Sequence, residues 1–307
     1  LRRIVLRFFP DEAGLKGALR AGQVDAAVVE DPSDLPVGDK AALTQYRFFK
    51  AGAVTLVFNH RSPVLADRTV REAVALGLDR SRLARRGSLE LGLPADGPIP
   101  PFVWFYREDF RRWEYNPERA RQLLEATGWR PGADGIREKE GARLAFSLVT
   151  NDDPVRVAVA EEVVRQLRRV GIDVRLSAGG FSGLVNDFVA QGRFEAALLG
   201  LEFNPGFDFY ALWHSGATRR PGLNFGHYAN RQVDDLLGRI RTSWDPAQQA
   251  QLYAELQAVL AQDVPGVPLY FPVVHYVADA RLRGVGPGLV LDAGDRFRDV
   301  TRWEFSR

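Results

Sequence analysis

The residues best suited to chemistry in this chain are few and scattered. Four histidines, His60, His214, His227 and His275, occur among 307 residues. None has the H-E-x-x-H spacing that sets two imidazoles on one helical face for zinc. There is no Cys, which removes disulfides, thiolate nucleophiles and Cys-ligated zinc. The carboxylate pairs Asp152-Asp153 and Asp234-Asp235 are adjacent in sequence. The first reads as a turn before Pro154 and the second as a polar helix face, so neither pair has a reason to share a proton. Gly180-Phe181-Ser182-Gly183 lacks the G-x-S-x-G spacing of a nucleophile elbow. No G-x-x-x-x-G-K-[ST] loop occurs, and in Gly284-Val285-Gly286-Pro287-Gly288 the Pro and the lack of a following helix argue against a phosphate cradle. The expectation is a protein that is not an enzyme, with no catalytic residues, no metal and no cofactor. What remains is an aromatic group, Phe207, Phe209, Tyr210 and Trp213, beside Asp208. It offers stacking surfaces for a ligand ring, although aromatic residues are more often core.

Composition narrows the class further. With 46% apolar and 26% charged residues the chain can bury a large core, and its length allows two domains. The formal charge is +2, and only four of the 41 basic residues are Lys. Basic doublets such as Arg111-Arg112 and Arg168-Arg169 are scattered among acids rather than gathered in a stripe, which argues against nucleic acid. No apolar run nears the ~20 residues that span a bilayer. Met is absent even at position 1, and Leu1-Arg2-Arg3-Ile4 does not open a signal peptide. The expectation is that a start has been lost, by processing or by truncation.

Strands and helices alternate along the chain. Ile4–Phe9 reads as a strand, residues 13–21 as a helix stopped at Gly22, and Val24–Val29 as a second strand. Val54–Asn59 is a further strand. Thr69 and Glu72 then suit a capping box for a helix that closes near Gly87. Asn116-Pro117 is an N-cap with Pro at the first helical position, and Gly128 ends that helix. Leu144, Phe146 and Leu148 alternate as a strand, a helix follows over 155–170, and residues 172–176 return as a strand. This βαβ unit implies parallel pairing. A short helix over 185–191 leads to the strand Phe194–Gly200, then to helices starting near Asn230 and at Asp245-Pro246. Val267–Phe271 is the closing strand.

The order of these segments resembles a known family. Ala18 to Asp25 is similar to its "aL..GevD" stretch. Phe58-Asn59, Pro63, Asp67, Val70-Arg71-Glu72-Ala73 and Asp79-Arg80 resemble "fN…P..D..vRqAl..aiDR". Tyr115-Asn116-Pro117-Glu118 through Gly128-Trp129 resembles "ydPekAk.LLaeaGw", and Leu252-Tyr253 through Tyr270 resembles "lY.e.q.il.ed.P.ipLy". The chain thus resembles the C-terminal portion of extracellular solute-binding proteins of the peptide/nickel type, family 5. The resemblance implies an α/β, two-lobed, type II periplasmic-binding-protein-like architecture. Residues 1–54 would be the tail of the first lobe, 55–275 the second lobe and 276–307 a return to the first. It implies a periplasmic or extracellular, cell-surface-associated monomer, the substrate-binding component of an ABC importer, with a membrane permease as partner and no nucleic acid. Such a protein captures a peptide-like or other small solute in an interlobe cleft; the alternative is a ligand-sensing or interaction domain of the same fold. In peptide-binding relatives a W-x-x-D segment follows the strand matching 194–200, and its Asp pairs with the peptide ammonium. Here Leu201 and Asn204 stand in place of that Trp and Asp, and Glu202 or Asp208 would have to supply the charge. The expected ligand-binding set is Leu201, Glu202, Phe203, Asn204, Asp208 and Trp213.

Overall fold

Short β-branched runs alternating with amphipathic helices dictate an α/β chain. The computed structural model, which describes residues 3–38, 41–86, 89–204, 206–219, 221–286 and 288–306, has that organisation. The chain divides into two compact units. One holds Leu1–Gly52, Arg85–Leu93 and Phe271–Arg307, the other Ala53–Ala84 and Pro94–Tyr270. The excursion of residues 85–93 into the first unit has no counterpart in the sequence expectation.

The first unit opens with a correction. Residues 4–9, which the pattern predicts as a strand, join no sheet among the described residues, and Val5 and Phe8 are 70% and 91% exposed. An apolar run becomes a strand only where an edge accepts its hydrogen bonds. Helix α1 (Glu12–Arg20) follows, its first turn capped by Asp11, whose carboxylate accepts from the Gly14 amide at 2.8 Å. Gly22, at φ +65°, takes the left-handed turn after the helix that its position suggested. Strands β1 (Ala26–Val29) and β2 (Leu43–Lys50) complete the N-terminal part.

The second unit begins within β3 (Gly52–Phe58), every residue of which is buried. Helix α2 (Arg68–Gly77) is capped by Asp67, not Thr69: the Asp67 carboxylate accepts from the Thr69 amide at 2.8 Å, and Glu72 pairs with Arg111 instead of reaching back. The helix stops at Gly77, and a separate turn, Arg80–Leu83, follows. The stop expected at Gly87, like Pro287, lies outside the described residues. Helix α3 (Pro117–Ala126) starts on Asn116 as its sequence predicts. The βαβ unit is β4 (Ala145–Asn151), α4 (Pro154–Arg168) and β5 (Asp173–Gly179), with β4 and β5 parallel from Ala145↔Asp173 to Asn151↔Gly179. Helix α4 buries Val159, Ala160, Val163 and Leu167, the two Val and the Leu each contributing roughly 1.5–3 kcal/mol as the side chain leaves water. The predicted helix at 185–191 is a turn, Phe181–Gly183, continued by a π-helix, Leu184–Val189. Strand β6 (Ala196–Glu202) lies parallel to β4, and the buried Thr150 hydroxyl donates to Leu198 O at 3.0 Å. Helices α5 (Arg231–Thr242) and α6 (Pro246–Asp263) lead into β7 (Gly266–Asp279). The strand order in this unit is β5-β4-β6-β3-β7. Strand β7 is longer than its pattern suggests. Past Tyr270 it belongs to the first unit, where it pairs antiparallel with β1 and β2, and β8 (Leu289–Val290) joins β2 in parallel. No helix among the described residues is long and apolar enough to cross a membrane.

Where α6 turns into β7 the second unit buries a polar knot. Val264 sits at φ +51°, a left-handed helix end that a β-branched residue adopts only under constraint. The constraint is Arg71, whose guanidinium donates to four carbonyls: Val264 (2.9 Å), Asp263 (2.8 Å), Leu65 (2.9 Å) and Ala66 (2.8 Å). The Asp263 carboxylate accepts from the Tyr228 hydroxyl and from Asn230 Nδ2, both at 2.7 Å. His60 Nε2–H donates to Pro265 O at 3.0 Å, and its ring lies 5.3 Å from that of Tyr228. Burial, with Arg71 nearby, lowers the His60 pKa to about 4. No enclosed side-chain nitrogen or oxygen of Arg71, Asp263, Tyr228, Asn230 or His60 lacks a partner.

Candidate functional site

In α/β units, ligands collect beyond the carboxyl ends of the parallel strands, where backbone polar groups and loop side chains converge. Asn151 of β4 and Gly179 of β5 are level with each other, and β6 runs on through Gly200, Leu201 and Glu202. The strand's two-residue period splits the expected set. Gly200 and Glu202 are exposed, whereas Leu201 is buried. Trp213 is likewise core: it lies in a single helical turn, Tyr210–Trp213, with its ring 6.3 Å from that of Tyr228.

Asn204 and Asp208 are close together, and they hold each other. Asn204 Oδ1 accepts from the Asp208 amide at 2.9 Å, and the Phe207 amide donates to Asn204 O at 2.9 Å. This turn forces Phe207 to φ +51°, the left-handed region that side chains rarely adopt. The Asp208 carboxylate accepts from the Tyr210 amide (3.0 Å) and from Arg241 Nε and Nη2 (2.9 and 2.6 Å). Arg241 in turn lies 3.8 Å above the Tyr210 ring, and Tyr210 stacks on His214 at 4.1 Å. The Asp208 charge is therefore compensated within the protein. Among the three acidic and polar residues predicted here, Glu202, Asn204 and Asp208, Glu202 is the acid that faces outward on the strand.

Aromatic rings floor this loop. Phe203 meets Phe209 at 5.4 Å and Phe207 at 6.0 Å, and Phe105 stacks on Tyr253 at 3.7 Å with 11° between planes. The Tyr253 hydroxyl donates to Phe207 O at 3.3 Å. Phe207 and Phe209 are buried, and Phe203 is half-buried. The stacking surface expected of Phe207, Phe209 and Trp213 is spent on the core.

Sequence reasoning passed over Arg156. It lies in the first turn of α4, where a cation opposes the helix dipole, and that misplacement was a readable signal. Its guanidinium reaches over Gly200, and its Nη1 is enclosed without a hydrogen-bond partner. Phe181, just past β5, is also exposed and has no marker in the sequence beyond its turn. Among the described residues no three His, Asp or Glu side chains are arranged to hold a metal ion.

A groove of about 840 Å³ occurs in the first unit, walled by Ile4, Leu6 and Phe8 on one side and by Tyr276, Phe297 and Trp303 on another. None of the residues expected to bind lines it. Its walls are mixed, with Arg3, Arg7, Asp11, Glu12, Asp25, Glu30 and Arg296 beside the apolar side chains. The strand ends of the second unit carry the stronger argument.

Comparison with known proteins agrees with this architecture. Residues 1–221 match the model of the bacterial extracellular solute-binding proteins, family 5. The oligopeptide-binding protein AppA of Bacillus subtilis is 28% identical over 297 residues, covering 92% of this chain and 53% of that protein. Protein XP55 of Streptomyces lividans is 31% identical over 277 residues, covering 87% and 49%. The chain thus spans about half the length of these relatives. The crystal structure of NikZ from Campylobacter jejuni in complex with Ni(L-His) superposes with a TM-score of 0.75 at 22% identity, covering 96% of this chain and 60% of NikZ. The fold is the α/β architecture of type II periplasmic binding proteins. The chain belongs to the bacterial extracellular solute-binding proteins of family 5.

Proposed function

We propose that this chain is part of the substrate-binding component of an ABC importer, a non-enzymatic carrier that takes a peptide-like or other small solute outside the cytoplasmic membrane and hands it to a permease. The observation that carries this reading is the family match over residues 1–221. The strand-end geometry supports it, with an outward acid, Glu202, beside a loop that Asn204 and Asp208 brace. In this reading residues 1–54 and 276–307 belong to the first lobe and 55–275 to the second, and the protein works as a monomer. Glu202, exposed on the last residue of β6, and Asp208 in the loop beyond it are the acids of this region that a cationic end of a solute would approach. Leu201, Phe203 and Trp213 shape the site from beneath, and Asn204 sets the loop.

The test is native mass spectrometry of the purified protein, followed by thermal denaturation with peptides, sugars and nickel–histidine. A stoichiometric small molecule that raises the melting temperature on re-addition is expected. Chemical conversion of that molecule, or no stabilisation by any member of the panel, would overturn the reading.

A further inference from the structure

The first unit has an open sheet edge. Strand β1 pairs on one side with β7, from Ala26↔Ala278 to Val29↔His275, and with no other strand among the described residues. On the β7 side the Asp279 amide donates to Asp25 O at 2.7 Å. Antiparallel alternation then turns the N–H and C=O of Ala26 and Val28 to the open side. Edges are commonly guarded by Lys, Pro or a bulge, and β1 has none of these. What flanks it is an exposed acid at each end, Asp25 and Glu30.

The same unit carries a strand-forming run that has no edge. Residues 3–9 join no sheet, and they wall the groove that also reaches β1, Tyr276, Phe297 and Trp303. In a strand their two-residue period would set Ile4, Leu6 and Phe8 on one face, all of them exposed in the single chain. Ala26 of β1 packs against the cluster of Tyr276, Phe297 and Trp303, so a strand added beside it would extend that cluster with those three side chains. The arm of the same copy is tied at Pro10 directly to the Asp11 cap of α1; an arm from another copy has no such tether.

Charge selects the pairing. The arm reads Arg3-Ile4-Val5-Leu6-Arg7, an apolar centre between cations. The edge reads Asp25-Ala26-Ala27-Val28-Val29-Glu30, an apolar centre between acids. All four charged side chains are exposed, and none has an ion-pair partner among the described residues. Edge against edge would bring acids together, and arm against arm would bring cations together; both are disfavoured across paired strands. Arm on edge sets opposite charges side by side.

We propose that two copies of this chain exchange residues 3–9, each arm adding as a strand to β1 of the other. A two-fold axis closes both edges at once. The monomer remains the form that works in import and is in equilibrium with this dimer, so the inference stands apart from the solute-binding reading.

The experiment is sedimentation equilibrium over about a hundredfold range of protein concentration. The wild type is expected to rise from the mass of one chain to that of two. Arg3→Glu with Arg7→Glu gives one variant, and Asp25→Lys with Glu30→Lys gives the other. Each alone should dimerise about tenfold more weakly or worse. Mixed in equal amounts they should dimerise again, because Glu arms then meet Lys edges and Arg arms meet acidic edges. A wild type that stays a single chain throughout overturns the proposal, including the case where amide exchange shows residues 3–9 protected within one copy. A dimer that both variants retain, or a mixture no tighter than its separate components, overturns it as well.

Discussion

Two arginines in the same unit show opposite ways of using a guanidinium. Arg71, in α2, is buried and gives its donors to four carbonyls around the α6–β7 corner, where it holds Val264 left-handed. Arg156, at the start of α4, leans over Gly200 with one donor unmet. The first spends all its hydrogen-bonding capacity on the fold. The second leaves one enclosed donor without an acceptor at the end of the strands, as Arg80 leaves its Nη2 elsewhere in the unit. Fully satisfied polar groups stabilise, and an enclosed donor without an acceptor carries a desolvation cost.

The largest effect expected follows from breaking the satisfied member. Arg71→Met removes the donors from four carbonyls at once and frees Val264 from its corner. Leaving buried carbonyls unpaired should cost about 3–5 kcal/mol, read as a lower urea midpoint at unchanged slope. A loss under about 1 kcal/mol would mean the corner is held by packing alone.

Next in size is the pH response of the same knot. Burial and then the Arg71 charge hold the His60 pKa at about 4, below its unfolded value of 6.5. The folded state therefore binds the proton less readily than the unfolded chain. Its contribution to stability is complete above pH ~6.5 and is lost as pH falls from there towards 4, by up to about 3 kcal/mol. Stability measured in urea from pH 7.5 to 5 should fall in the wild type and fall less in His60→Gln. His227 and His275, also lowered by burial, titrate in the same direction, so the difference between the two proteins, not the wild-type slope, isolates His60. Parallel curves would remove His60 from the account.

These two regions were unequally legible in the sequence. Asn116-Pro117, Asp245-Pro246 and the alternation Leu144, Phe146, Leu148 announce their elements because caps and periodicity act over a few residues. The parallel β4–α4–β5 crossover follows from the same local signals. Segment 3–9 shows the limit, since apolar alternation cannot say whether a partner edge exists. Thr69 and Glu72 show another: a capping box was spelled out, but Asp67 two residues earlier is the stronger acceptor, and Arg111, distant in sequence, claims Glu72. At the candidate site the strand end was legible, while the engagement of Asp208 by Arg241, 33 residues away, was not. Arg156 was legible in principle, as a cation in the wrong turn of a helix.

A smaller effect is expected at the loop itself. The Asp208–Arg241 pair is partly exposed, so Asp208→Asn should cost only about 0.5–1 kcal/mol. Its consequence for binding should be larger, because Asp208 and Asn204 fix the turn that presents Phe203. Amide exchange over residues 203–210 should accelerate in the variant, and unchanged exchange would show that the aromatic floor is enough to hold the turn.

The smallest effect on stability, and the sharpest contrast with Arg71, belongs to Arg156. Replacing it with Gln removes a cation from the N-terminal turn of α4 and relieves an enclosed donor that has no acceptor. Both changes act in the same direction. The dipole contribution alone should stabilise by about 0.3–1 kcal/mol at low salt and fade as salt is raised. Arg156→Gln should therefore unfold at a slightly higher urea concentration than the wild type, the reverse of Arg71→Met. A destabilisation above about 1.5 kcal/mol would place Arg156 with Arg71 as part of the scaffold, and the contrast between the two guanidinium groups would collapse.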